Sequence, residues 1–172
     1  MLRPKTPMKQ QEKFSFRQEA WEGDEMSVRR LCQSTGFFSE EEIEVAGELV
    51  EAYLKEGKAS GYNFIFCEAD GHLIGYSCFG RICLTESSFD LYWIVVEKAW
   101  QGKGLGKKIL EMTETAAIRL GCKRIYAETS SRRQYQPTVS FYENQGYFNE
   151  ATIADFYRPG DAKLIFVKVL GE

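Results

Sequence analysis

The chain has 172 residues, of which 44% are apolar, 27% charged and 14% aromatic. That is the composition of one folded domain with a sizeable core, too short for two ordinary ones. A net charge of −3 excludes a whole-surface nucleic-acid binder, and no apolar run reaches the roughly 20 residues that span a bilayer, so neither nucleic acid nor membrane is expected as a partner.

Residues 1–13 carry Pro4 and Pro7 among polar and basic residues, without the apolar stretch of a signal peptide. They read as a flexible arm ahead of a single domain over 14–172. FSFRQ (14–18) alternates and predicts a first strand. Asp24 is a candidate N-cap for a helix carrying Val28, Leu31 and Cys32 on one face, ended by Gly36. Ser39 with Glu42 three residues on forms a capping box for a second helix, up to Gly57. Two β-rich runs, 62–69 and 72–79, flank Asp70-Gly71, a strong hairpin signal. A third run over 88–96 completes an antiparallel meander. Then come a glycine-rich turn, a helix from Leu105 to Leu120 with Gly121 as its cap, and a strand over 122–129. Pro137 suits the first turn of a short helix ended by Gly146. Two last strands, 147–156 and 162–170, follow. The strand–loop–helix–strand unit in the middle predicts a right-handed crossover and one parallel pair in a mixed-sheet α/β (α+β) domain.

The glycine-rich turn is the most informative segment. A strand runs into Gln101-Gly102-Lys103-Gly104-Leu105-Gly106-Lys107, and a helix starts there. Glycines let backbone N–H groups turn inward, and a helix N-terminus adds a positive dipole end, which together cradle an anion such as a pyrophosphate. Residues 98–108 hold Lys98, Lys103, Lys107 and Lys108 and no acid. A Walker A loop is absent, and the dinucleotide fingerprint lacks its third glycine, because position 107 is Lys. Read alone, the turn also fits a strand–helix connection that binds nothing.

Gln101 to Gly106 matches the Q/R-x-x-G-x-G/A signature of the GNAT superfamily of N-acetyltransferases, and Phe141-Tyr142-Glu143-Asn144-Gln145-Gly146-Tyr147 resembles that family's second signature, F-Y-x-x-x-G-F. The order of elements over about 14–170 fits as well. The resemblance is to small bacterial members. It implies a mostly antiparallel sheet of about seven strands with about four helices and a parallel pair splayed at the cofactor site. It also implies acetyl-CoA as acetyl donor, bound by Ile94, Val95 and Val96 on the strand, by Gln101, Gly102, Lys103, Gly104, Leu105, Gly106 and Lys107 in the loop, and by Tyr142. Three positions depart from the pattern. Tyr135 stands where the family has an Asn that touches the cofactor, Lys98 replaces a common Pro, and Tyr147 replaces Phe.

Acetyl transfer to an amine needs a neutral amine, donors for the carbonyl oxygen, a proton for the departing thiolate, and both substrates held together. The resemblance assigns the carbonyl donor to a strand amide, Val95 or Val96, and the acid to Tyr142. Two carboxylates compete as base. The resemblance offers both, since members place a base either where Asp90 stands, eleven residues before Gln101, or where Glu128 ends the next strand; Tyr92 is a weaker third, and an amine of low pKa needs none. A cysteine nucleophile is the rival mechanism. The five cysteines (Cys32, Cys67, Cys78, Cys83, Cys122) are scattered, form no CxxC pair and adjoin no His, since His72 is the only one. Direct transfer in a ternary complex is preferred. The same cysteine pattern disfavours a disulfide framework, a structural metal site and a His-based triad, and fits reduced thiols in the cytoplasm.

The resemblance implies a small-molecule or peptide amine as acceptor. Residues 19–56 hold eleven acids against three bases, which reads either as an acidic rim for a cationic amine or as a solvated helix face. The segment 155–161 is a candidate lid, in which Arg158 instead pairs a substrate carboxylate and points to an amino acid. The resemblance also raises a homodimer through sheet edges or the last strands. Two other functions stay open: a non-catalytic acyl-CoA-binding or regulatory module on the same fold, and an unrelated nucleotide-binding domain.

Overall fold

Asp70 and Gly71 sit at φ 50° and 77° in a computed structural model that describes residues 14–171. Two left-handed residues in succession make the two-residue turn that matches the twist of its flanking strands. They join β2 (Tyr62–Ala69) to β3 (His72–Arg81), and β4 (Ser88–Val96) completes the meander. The arm expected over 1–13 lies outside the described residues.

Ahead of the meander come β1 (Phe14–Arg17), α1 (Asp24–Thr35) and α2 (Glu40–Glu56). The capping box at Ser39 is present in both directions: Glu42 N donates to Ser39 Oγ at 3.2 Å and Ser39 N to Glu42 Oε2 at 2.8 Å. Asp24 is not the cap of α1. Gly23 holds that place at φ 94°, and Asp24 is the first helical residue. Its carboxylate is drawn instead to the Arg17 guanidinium at 2.6 Å, and a charged partner outcompetes a neutral helix N–H.

After β4 come α3 (Leu105–Arg119), β5 (Arg124–Ser130), α4 (Gln136–Asn144), β6 (Phe148–Arg158) and β7 (Asp161–Val169). The seven strands form one sheet, ordered β1-β2-β3-β4-β5-β7-β6, with β4–β5 as the parallel pair and every other pair antiparallel. β7 lies between β5 and β6, so the last hairpin folds back to fill the open edge of β5. The segment expected as a lid is that hairpin. Only Pro159 and Gly160 separate β6 from β7, and a register break between Ile153 and Arg158 accommodates Asp155 at φ 52°. Among the described residues no helix is long and apolar enough to cross a membrane.

Alternate strand residues pack against different helices. Ile65, Cys67 and Phe79 join Leu105, Ile109 and Leu110 of α3 in one core; Phe64, Phe66 and Cys78 join Val28 and Leu31 of α1 and Val50 of α2 in the other. In β4 this alternation changes phase. Phe89 and Leu91 face α3, and so do Ile94 and Val96, while Trp93 and Val95 face α1 and α2. The cause is a β-bulge. Cys78 pairs with Trp93 and Phe79 with Leu91, which leaves Tyr92 as one extra residue. A bulge bends and twists its strand, and this one lies where β4 leaves β5.

Leu84 tests local strain. It sits at φ 64° in the turn closed by Thr85 N on Ile82 O at 3.2 Å, and its side chain is fully exposed. A left-handed leucine costs about 1–2 kcal/mol, partly offset by the greater freedom glycine has when unfolded. Leu84→Gly is expected to stabilise the protein by roughly 0.5–1 kcal/mol in urea unfolding. A loss of stability would show that the turn does not strain the leucine.

Candidate active site

β4 and β5 pair only from Ser88 and Arg124 to Leu91 and Ala127. Beyond that point β4 keeps β3, β5 keeps β7, and a gap opens between them. Backbone groups in the gap follow from the ladder. Glu97 N donates to Ile74 O at 2.8 Å, Gly75 stands opposite Val96, and Tyr76 opposite Val95. Antiparallel alternation then spends the Val95 N–H and C=O on Tyr76 and turns those of Ile94 and Val96 away from β3. The Val96 carbonyl accordingly accepts from Gln101 Nε2 at 2.9 Å. Of the two amides expected to polarise a carbonyl, the register withdraws Val95; Ile94 joins Val96 in its place.

The turn after β4 forms an open cradle. Gly102 and Gly104 adopt φ 72° and 85°, where other residues are strained, and Gly104 caps α3 without any side-chain hydrogen bond. The first amides of α3 therefore have no side-chain acceptor at the cap. A cavity of about 570 Å³ and a larger one of about 820 Å³ lie along the gap. The larger brings together Ile94, Val95, Val96, Gln101, Gly102, Gly104, Gly106 and Lys107, with Lys98, Phe141, Asn144 and Gln145. Three residues expected there do not line it, among them Tyr142, which lines the smaller cavity instead. Leu105 is buried in the α3 core and anchors the helix, and the Lys103 ammonium lies 5.1 Å from the Trp100 ring centre.

The smaller cavity is lined by Tyr92, Trp93 and Ile94 of β4, by Glu128, Thr129 and Ser130 of β5, and by Tyr142 of α4. It shares Phe37, Phe38, Ile94 and Thr138 with the larger, so the two meet at Ile94. Phe37 and Phe38 fill the short link between the caps of α1 and α2. They lie 4.7 Å from Tyr135 and 5.2 Å from Trp93, ring centre to ring centre. Tyr135 thus spends its ring on the α1–α2 link.

Tyr142 is 5% exposed, with its ring among Phe141, Tyr147 and Phe166. Its hydroxyl makes no hydrogen bond to a described residue, and burial pushes the phenol up, so it stays a proton donor throughout the neutral range. Asp90 and Glu128 sit on one sheet face but differ in access. Asp90 lies in the paired part of β4, opposite Tyr126, and lines neither cavity; burial raises its carboxyl, Glu128 adds to the rise, and Lys163 opposes it. Glu128 lines the smaller cavity and is ion-paired to Lys163. Tyr92 is pushed up to about 12 by burial, with Asp90 adding to the rise, which leaves it no base near neutrality. Cys32, Cys67, Cys78 and Cys122 are buried with thiols raised by burial, Cys83 is exposed, and none of the five lines either cavity.

The eleven acids of 19–56 do not form a rim. Only Glu41 and Glu42 reach the smaller cavity, and Glu42 is engaged in the capping box. Arg29 binds Glu44 and Glu51, and Arg17 binds Asp24. Sequence reasoning did not single out Phe37, Phe38, Trp93, Ser130 or Arg132 as lining residues. The pair Phe37-Phe38 left a signal, since two aromatics between a helix-ending Gly36 and a capping Ser39 have no helix face of their own to bury.

Residues 60–148 match the model of the acetyltransferase (GNAT) domain. A GNAT-family protein from Desulfovibrio desulfuricans is 41% identical and superposes with a TM-score of 0.91, covering 92% of this chain and 100% of that one. An aminoglycoside 6′-N-acetyltransferase complexed with coenzyme A (TM-score 0.71, 13% identity, 93% and 98% covered) shares the fold. So does the ribosomal-protein-S18-alanine N-acetyltransferase of Escherichia coli (0.71, 13%, 93% and 96%). The sequence has no significant match among curated proteins. The chain belongs to the GNAT family of acetyltransferases.

Proposed function

We propose that the chain is an N-acetyltransferase that moves acetyl from acetyl-CoA to a primary amine by direct attack in a ternary complex, within one domain over 14–172. The observation that carries this is the meeting of two cavities at Ile94, one on the glycine cradle and one on Tyr142 and Glu128. The larger cavity fits acetyl-CoA: left-handed glycines, an uncapped helix start and Lys98 and Lys107 suit a pyrophosphate, and the gap-facing groups of Val96 suit an amide-bearing arm. When bound there, acetyl-CoA supplies the activated acetyl group. The Ile94 N–H, at the junction, is the donor for a carbonyl oxygen gaining charge. Glu128, oriented by Lys163, accepts the proton of the incoming amine directly or through a water, and Tyr142 gives its proton to the departing sulfur. Asp90 sits behind Glu128 as a charge neighbour.

Two measurements test this reading. Acetyl-CoA is expected to raise the melting temperature where ATP and NAD do not. Thiol release over a panel of primary amines is expected to exceed the rate without amine, and Glu128→Gln to lower kcat/KM for the amine roughly tenfold or more. No stabilisation by acetyl-CoA removes the cofactor assignment; stabilisation without turnover of any amine leaves a non-catalytic acyl-CoA-binding module.

A further inference from the structure

The wall of the acceptor cavity away from Ile94 is built around one buried carboxylate. Asp161, 2% exposed, opens β7, and its Oδ1 accepts the Ser130 hydroxyl. Its Oδ2 faces two arginines that both line the cavity, Arg132 Nε at 3.2 Å and Arg158 Nε at 3.5 Å. Two cations on one anion leave one positive charge in excess at this end. The guanidiniums are also unspent. Neither donates a hydrogen bond to a described residue, and Arg132 Nε is buried without one, since its approach to Asp161 has the distance of an ion pair but not the angle of a hydrogen bond. Each guanidinium carries five N–H donors in a planar fork that suits a carboxylate.

The arginines are held in place by backbone as well as charge. Arg132 N donates to Ser130 Oγ at 3.1 Å, Ser131 N to Ala162 O at 2.9 Å, and Ala162 N to Ser131 Oγ at 2.8 Å, which clamps the end of β5 to the start of β7. The Arg132 guanidinium lies 5.3 Å from the Tyr135 ring centre. The other pole is negative, because Glu128 and its neighbour Asp90 share one ammonium, Lys163; Glu41 also lines the cavity. Glu128 and Ser130 are two residues apart on one strand, about 7 Å, so the poles lie within the length of a small molecule. The same cavity is also lined by aromatic side chains, Phe37, Phe38, Trp93 and Tyr157 among them.

We propose that the acceptor is a zwitterion, an amino-acid-like compound with an apolar or aromatic body, whose amine sits by Glu128 and whose carboxylate is received by Arg132 and Arg158. This rests on the acetyltransferase reading above and narrows it. A linear polyamine, with cations at both ends, would set one of them against the two arginines.

Matched probes differing only in the carboxylate test this: tyrosine against tyramine, tryptophan against tryptamine, and lysine against cadaverine. The carboxylated member is expected to have the higher kcat/KM, by roughly tenfold or more. Arg158→Met and Arg132→Met are expected to pull that ratio toward one, and Arg158→Lys to keep part of it. Comparing ratios between variants removes the different basicity of the two amines. Arg158 has a largely exposed side chain, so its variants remain informative if Arg132→Met melts early. Decarboxylated amines preferred or equal, or a preference that both methionine variants leave intact, would overturn the zwitterion while amine acetylation stood. If acetyl-CoA binds and no amine of any kind is turned over, the function proposal fails and the acceptor proposal with it.

Discussion

Tyr142→Phe is expected to lower kcat by about 10²-fold and to leave the KM for acetyl-CoA within about twofold. The substitution deletes one atom and keeps the ring among Phe141, Tyr147 and Phe166. Because the hydroxyl has no hydrogen-bond partner among the described residues, its removal strands no donor or acceptor, and the melting temperature is expected to hold. Burial raises the phenol above its ordinary range, so the wild-type enzyme should show no loss of rate from phenol ionisation below about pH 10. Steady-state kinetics with the best amine, together with a melting curve, check all three points. Unchanged turnover removes Tyr142 as the proton donor. A kcat loss accompanied by a large drop in melting temperature would assign it a packing role instead.

Much of this site was legible because its signals are local. Asp70-Gly71 dictates its own turn, Ser39 and Glu42 satisfy each other across one helical turn, and the glycines of 102–106 can bend as they do whatever surrounds them. What stayed hidden depends on residues far apart in sequence. The bulge at Tyr92 exists only in the pairing of β4 with β3, and it alone decides that Ile94 rather than Val95 turns its amide to the gap. The insertion of β7 between β5 and β6 is a contest between strand edges that no window of sequence contains. Asp161, Ser130 and Arg132 meet only because of it, which is why the charged turn of 155–161, a candidate lid in sequence, also gathers two arginines, its own Arg158 and Arg132 from beyond β5. The acidic segment 19–56 left two readings open, and the structure favours the solvated helix face. Its charge is real, but Arg17 and Arg29 neutralise part of it, and of its acids only Glu41 and Glu42 reach the cavity.

Asp24→Ala is expected to destabilise the fold by about 3 kcal/mol, although Asp24 lies away from both cavities. Arg17 is nearly buried, its side chain 12% exposed, and lies between the rings of Trp21 and Phe66 at 4.1 and 4.3 Å. Burial alone would pull its pKa down, but the bonds to Asp24 and Glu68 outweigh that and hold it raised. Asp24 takes two of those bonds, at 2.6 and 2.7 Å, and accepts the Trp21 N–H as well, so its loss leaves three donors short of a partner at once. Glu68, at 2.7 Å and more exposed, retains part of the pairing and sets the upper limit on the damage. At this chain length the cost corresponds to a fall in melting temperature of about 10 °C. The double variant Arg17→Met, Asp24→Ala is expected to recover part of it, because removing both partners leaves no buried charge uncompensated. Should Asp24→Ala melt within a degree or two of the wild type, the pair contributes specificity of docking between β1, β2 and α1 but little net stability. The link carrying Phe37 and Phe38 beside the smaller cavity would then be held by the apolar contacts of α1 and by the rings of Tyr135 and Trp93.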